Sequence, residues 1–266
     1  TSVRSWITAT CGQQLPNTGS KPPPSGGGFF MFSFLGIGAQ KAGTTWLYEQ
    51  ISHHPQLAFP LGKEAHFWDR PHDKSAIADY LSRFADVAAI AGEITPSYAA
   101  LPSSVVQEIH ACNPQLRLIY LIRNPIDRAW SSALMALQRA QMTIDEASDA
   151  WFSDHFHSAA SLKRGDYQAC LQTWRTIFPN EQLLILRFEQ IITEPELLLN
   201  RCFQHLGVAP VDPEQLRQQG CHEPVFTGPG HRLRSTLKPV LWALYQERIR
   251  QLAQYLGMDL SAWLSS

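Results

Sequence analysis

The chain has 266 residues, 44% of them apolar and 17% charged, with a formal net charge of −1. That composition supports a sizeable core in one α/β domain or two small ones. It lacks the global positive field that would hold nucleic acid or an anionic membrane surface, so any anion site must be local. The five cysteines, Cys11, Cys112, Cys170, Cys202 and Cys221, are scattered without a C-x-x-C spacing, which fits a reducing, cytoplasmic setting.

Residues 12 to 28, GQQLPNTGSKPPPSGGG, cannot support a packed core. The reading is a flexible N-terminal extension over 1–28 and a globular domain over 29–266. The apolar run from Phe29 to Ile37 is too short to cross a bilayer, and no secretory h-region precedes it. The linker and the start at Thr1 rather than Met point to a domain cut from a longer multidomain polypeptide.

From FFMFSFLGI onward, strand-length apolar runs alternate with helical periodicity: TTWLYEQISHH, LAFP, SAIADYLSRF, AAIAGEI, SSVVQEIHAC, LRLIYLI, then a helix from about Ile126 to Arg139. This βαβ rhythm predicts a central parallel sheet flanked by helices, with ligands at the carboxyl ends of the strands. The stretch from about Gln141 to Arg164 is irregular and reads as a helical insert or lid. In DYQACLQTWRTIF, Tyr167, Leu171, Trp174 and Phe178 share one helical face, and a core role is favoured. QLLILRF reads as a further strand, and residues 189–207 and 239–257 as further helices.

GIGAQKAGTTWL joins the first strand to the first helix. Its glycines let the backbone approach an anion, and a helix beginning near Thr44 would aim its free N–H groups there. Lys41 precedes Gly43, whereas in a nucleoside-triphosphate loop the lysine follows the last glycine. A triphosphate-hydrolysing protein also needs an acidic residue at the end of a second strand to hold Mg²⁺. Here LRLIYLI ends in Arg123, with Ser131 eight residues on. A cation at that place favours direct binding of a second anionic group and no metal.

The pair QKAGTTW and RNPIDRAWS resembles the two nucleotide-binding signatures of sulfotransferases that use 3′-phosphoadenosine 5′-phosphosulfate (PAPS). The likeness runs from about Phe34 to Trp263 and includes GEITPSYA, YQACLQTWRTIFP and QLLILRFEQI. It implies the P-loop-like three-layer sulfotransferase fold. By the resemblance, Lys41, Ala42, Gly43, Thr44 and Thr45 cradle the 5′-phosphosulfate, and Arg123 and Ser131 hold the 3′-phosphate. Trp46 matches a residue that stacks on adenine, with burial in the core as the alternative. Gly230, His231 and Arg232 lie where the family often closes a loop over the 3′-phosphate.

Sulfuryl transfer needs a base for the acceptor's proton and positive charge on the leaving oxygen. Lys41 can serve the leaving group. In PLGKEAHFWDR an extended backbone would send Glu64 and His66 to one side. The segment resembles the K-E-x-H-F element of glycan sulfotransferases, which implies Glu64 as base and His66 as its partner; the alternative pairs Glu64 with Lys63 on the surface. The glycan enzymes often have E-K-T-P where this chain has Glu93-Ile94-Thr95-Pro96, so the lysine that faces the active site is missing. His155 and His157 read as solvated, and Arg164-Gly165-Asp166 as a chance triplet.

The acceptor is then a hydroxyl. Sulfotransferase-like domains occur inside polyketide synthases, and the linker places the β-hydroxyl of an acyl chain on a carrier protein first. A glycan or small-metabolite hydroxyl comes second. A Mg²⁺-dependent nucleotide kinase and a non-catalytic nucleotide-binding module are the remaining alternatives, the latter opposed by Glu64 and His66.

Overall fold

The computed structural model describes residues 32–85, 87, 89–225 and 230–265. The extension over 1–28 and Cys11 lie outside the described residues. Five strands form one sheet: β1 (Phe32–Gly38), β2 (Leu57–Ala58), β3 (Ile90–Ile94), β4 (Arg117–Ile122) and β5 (Leu183–Arg187). Their order is β2-β3-β1-β4-β5, and every pairing is parallel. Parallel strands covered on both faces read as continuous apolar runs rather than as alternation. β4 shows this, since all of its residues after Arg117 are buried.

The helices are α1 (Thr44–Ser52), α2 (Lys74–Ser82), α3 (Ser103–Cys112), α4 (Pro125–Arg139), α5 (Asp149–His157) and α6 (Ala159–Gly165). They continue with α7 (Tyr167–Arg175), α8 (Phe188–Thr193), α9 (Pro195–Leu206), α10 (Pro213–Gln218) and α11 (Lys238–Leu256). α1 and α9 pack together, α9 lies on β4 and β5, and α4 and α7 pack against α11. The expected insert is helical and forms α5 and α6. Each of these starts on a serine cap: Ser148 accepts from Trp151 N and Ser158 from Ser161 N.

The stripe Tyr167, Leu171, Trp174 and Phe178 is buried in the core, as its spacing implies. α10 has no apolar stripe to announce it; its signals are Asp212, whose side chain caps the helix, and Pro213 at its first position. Cys112, Cys170, Cys202 and Cys221 are free thiols. No helix among the described residues is long and apolar enough to cross a membrane.

Candidate active site

The turn after β1 is shaped for an anion. It passes through Lys41 at φ 71° and Gly43 at φ 91° before α1 begins. The left-handed φ favours glycine at Gly43, and an added Cβ there would also have to push aside the Ile191 side chain, whose Cδ1 would lie 2.5 Å away. No side chain caps α1, so its first-turn N–H groups and the positive end of its dipole face the turn. Ala42 and Thr44 are buried, whereas Lys41 and Thr45 are half-buried.

Arg123 leaves the end of β4, the strand beside β1. Its Nη1 donates to the Lys41 carbonyl at 3.3 Å, and its guanidinium lies 4.4 Å from the centre of the Phe188 ring. The Tyr167 hydroxyl donates to its carbonyl at 2.8 Å. The Arg123 Nε is buried and has no hydrogen-bond partner among the described residues. A buried unspent donor next to an uncapped helix start is an arrangement that an anionic nucleotide completes. The residues present therefore fit the bisphosphate part of PAPS.

Ser131 is half-buried on α4. Beside it, Trp130 Nε1 donates to the His231 carbonyl at 2.7 Å and ties the exposed segment of Gly230, His231 and Arg232 to that turn of the helix. Trp46 is different. It points inward from α1, is 5% exposed, and its indole N–H donates to the Cys221 carbonyl at 3.1 Å. Its ring has little open face for a base, and this geometry matches the core alternative.

The segment from Lys63 to Trp68 lies at the carboxyl end of β3, held there by main-chain and buried side-chain contacts. Glu64 N donates to the Ile94 carbonyl at 3.0 Å, and Phe67 N and Trp68 N donate to the Tyr98 hydroxyl at 2.9 and 3.2 Å. That hydroxyl donates to Glu93 Oε1 at 3.1 Å, as does Tyr80 at 2.6 Å, while Thr95 donates to Oε2 at 2.9 Å. Burial pushes the fully enclosed Glu93 carboxyl up, against the pull of these hydrogen bonds and one from Ala65 N.

The expected extended backbone is not observed: Glu64 and His66 have φ of 61° and 53°. The two side chains nevertheless meet, because this anchored turn brings Glu64 Oε2 within 3.7 Å of His66 Nε2. Glu64 Oε1 also pairs with Lys63 Nζ.

Two partners escape the sequence reading. Asp69 Oδ2 contacts His66 Nδ1 at 2.7 Å and accepts from Ser97 Oγ at 2.5 Å. Burial raises the Asp69 carboxyl, but the Ser97 and His66 hydrogen bonds outweigh it and hold the group below the ordinary range. With Nδ1–H donated to Asp69, a neutral His66 turns its Nε2 lone pair toward Glu64. The signal available in sequence is a carboxylate three residues after the histidine.

Lys41 joins this group to the anion turn. Burial first, then the charges of Arg123 and Arg139, lower its pKa, while Glu64 raises it. The charges of Arg123, Arg139, Glu64 and Lys63 thus all bear on the Lys41 ammonium.

A family model described as "Sulfotransferase domain" matches residues 33–222. The chain is 26% identical to carbohydrate sulfotransferase 15 of Mus musculus, over 68% of this chain and 45% of that protein. It is 29% identical to heparan sulfate glucosamine 3-O-sulfotransferase 6 of Homo sapiens, over 73% of this chain and 57% of that protein. The chain spans about half the length of the curated relatives it matches. A solved sulfotransferase from Alicyclobacillus acidocaldarius superimposes with a TM-score of 0.67 at 24% identity, covering 87% of this chain and 98% of that one. The sulfotransferase domain of the curacin biosynthetic pathway does so with a TM-score of 0.56 at 16% identity, covering 86% and 98%. These two likenesses concern the fold.

Proposed function

Because the chain belongs to the sulfotransferase domain family, whose sulfuryl donor is PAPS, we propose that it transfers the sulfuryl group of PAPS to an acceptor hydroxyl, with Glu64 as base. The observation that supports this is that Arg123, at the end of β4, donates to the Lys41 carbonyl while Glu64, His66 and Asp69 gather at the end of β3, two strands away across β1, near enough for the Glu64 charge to bear on Lys41. When bound, PAPS supplies an activated sulfuryl group whose leaving group is a phosphate oxygen.

The chain's own residues do the rest. Lys41, Ala42, Gly43, Thr44 and Thr45 hold the 5′ end, with Lys41 opposing the charge that develops on the leaving oxygen. Arg123 and Ser131 hold the 3′-phosphate, and the segment of Gly230, His231 and Arg232 closes beside them. Glu64 removes the hydroxyl proton. Asp69 orients His66 so that Nε2 can take up the proton that Glu64 receives.

For the acceptor, the curated relatives named above favour a saccharide hydroxyl. A second reading, a carrier-bound acyl β-hydroxyl, rests on the Pro/Gly-rich run at residues 12–28.

Calorimetry tests the donor half. Adenosine 3′,5′-bisphosphate should bind more tightly than ATP with Mg²⁺, and Arg123→Ala should weaken the bisphosphate by ~1.5 to 3 kcal/mol, the scale of a hydrogen bond to a charged group. Tighter, Mg²⁺-dependent binding of ATP would support a kinase instead.

A further inference from the structure

The described residues hold one group of three side chains with metal-binding atoms in mutual reach: Glu196, Cys221 and His222, whose ligand atoms all lie within 4.8 Å of one another. None of the three has a role in the transfer described above. Glu196 occupies the first turn of α9, while Cys221 and His222 follow α10 in a tight turn. That turn is fixed through its main chain. Gly220 N donates to the Arg217 carbonyl at 2.9 Å, Cys221 N to the Leu216 carbonyl at 3.2 Å, and Gly220 has a φ of 82°. The Cys221 carbonyl accepts the indole N–H of Trp46 on α1, so the group sits where α1, α9 and the turn after α10 come together.

The donor atoms suit a metal cation. His222 Nε2 lies 3.0 Å from Glu196 Oε1, and this hydrogen bond, ahead of one from Arg217, holds the Glu196 carboxyl down at about 2, so it is ionised at neutral pH. Cys221 is a free, buried thiol, pushed up first by burial and then by the Glu196 charge. A metal cation reverses both effects, because it takes the place of the thiol proton beside that carboxylate. Arg217 is the cation that opposes a metal here, its Nε donating to Glu196 Oε1 at 2.6 Å. Its side chain is exposed and also pairs with Glu214 through Nη1 at 3.0 Å, so it can leave Glu196 and keep a carboxylate.

We propose that Glu196, Cys221 and His222 form a zinc site whose fourth position is filled by water on the side where His222 is exposed. One sulfur, one imidazole nitrogen and one carboxylate oxygen are a donor set for Zn²⁺, whereas Mg²⁺ and Ca²⁺ take oxygen ligands. Tetrahedral zinc sets its ligand atoms roughly 3.3 to 3.7 Å apart. Closing the group to that spacing is within the freedom of the exposed His222 side chain. Coordination releases the Cys221 thiol proton to solvent and takes His222 as the neutral imidazole, so affinity rises with pH. The ion then ties the first turn of α9 to the turn that receives Trp46 and braces α1 from behind.

The test uses the full chain, reduced, freed of metal by chelation and titrated with Co²⁺, whose tetrahedral complexes absorb strongly and show a thiolate-to-metal band. The unaltered protein should take up one equivalent with that band, and Zn²⁺ should displace it. Cys221→Ser should abolish the band. His222→Gln should weaken Co²⁺ binding at least about tenfold, the low end for losing even a group that supports a ligand. Cys112→Ser, which removes a half-buried thiol elsewhere, should leave band and affinity unchanged. Zn²⁺ should raise the thermal midpoint of the unaltered protein and of Cys112→Ser, and not that of the other two variants. Far-UV circular dichroism reports the fold of each, and if Cys221→Ser does not fold, His222→Gln at its exposed position decides. No thiolate band in the unaltered protein, a band that persists in Cys221→Ser, or equal affinity in His222→Gln overturns the proposal and leaves an ion-pair cluster. None of these readouts involves PAPS or an acceptor, so failure of the zinc site and failure of the sulfotransferase reading are separate results.

Discussion

Three of the residues given chemical roles, Lys41, Glu64 and His66, have left-handed backbone conformations, with φ of 71°, 61° and 53°. Non-glycine residues rarely adopt these angles, and they persist where the surroundings over-determine them, often at functional sites. Residue types and spacing make Lys41, Glu64 and His66 legible in the sequence, but not this backbone, which around Glu64 and His66 is set by contacts with β3 and the turn that follows it. Asp69 is hidden for the same reason, since its role depends on Ser97, which lies 28 positions away. Lys41→Ala should lower kcat by about 10²-fold, the effect of losing one preorganised donor to developing charge, with a much smaller loss of bisphosphate affinity. Steady-state kinetics beside calorimetry separate the two. An unchanged kcat would remove Lys41 from the chemistry.

At the scale of elements, the segment from Lys63 to Trp68 is held by a buried network. GEITPSYA is legible as a strand followed by a turn, yet nothing in its periodicity shows that Glu93 and Tyr98 hold residues 65–68. The Tyr98 hydroxyl is the link, accepting from two backbone N–H groups and donating to Glu93. Tyr98→Phe removes it and leaves buried polar groups unpaired, which should cost about 1 to 3 kcal/mol of stability. It should also lower the transfer rate while sparing bisphosphate binding, because α1 and Arg123 lie outside the network. Chemical denaturation with parallel kinetics checks this, and an equal loss of binding and rate would refute the division. The insert is legible only as helical or lid-like. Its serine caps and Phe152 and Phe156 define the short helix pair once the rest of the core exists to receive them.

Across the whole molecule, alternating strand and helix text makes the parallel α/β class legible. The strand order is not, because it follows from which helices can cover which face. His205 reports on that assembly: its Nε2 contacts the Leu118 carbonyl of β4 at 3.0 Å, and burial lowers its pKa to about 4. An unfolded histidine titrates near 6.5, so between these values the unfolded chain binds more protons than the folded one. Stability from this group is therefore lost as pH falls from about 6.5 toward 4. His205→Gln keeps an N–H donor and removes the titration, so the urea midpoint should drop less between pH 7 and pH 5 than in the unaltered protein. An identical drop would exclude His205 as a source of acid sensitivity.

In the proposed reaction Glu64 takes the acceptor's proton within an intact donor site. The deciding measurement is transfer of labelled sulfate from PAPS to a hydroxylated saccharide by the unaltered protein and by Glu64→Gln, each first shown to bind adenosine 3′,5′-bisphosphate. The unaltered protein should transfer sulfate, and Glu64→Gln should bind the nucleotide normally while transferring roughly 10²- to 10⁴-fold more slowly. A near-normal rate in Glu64→Gln would contradict the role of Glu64 as base and leave His66 in that place.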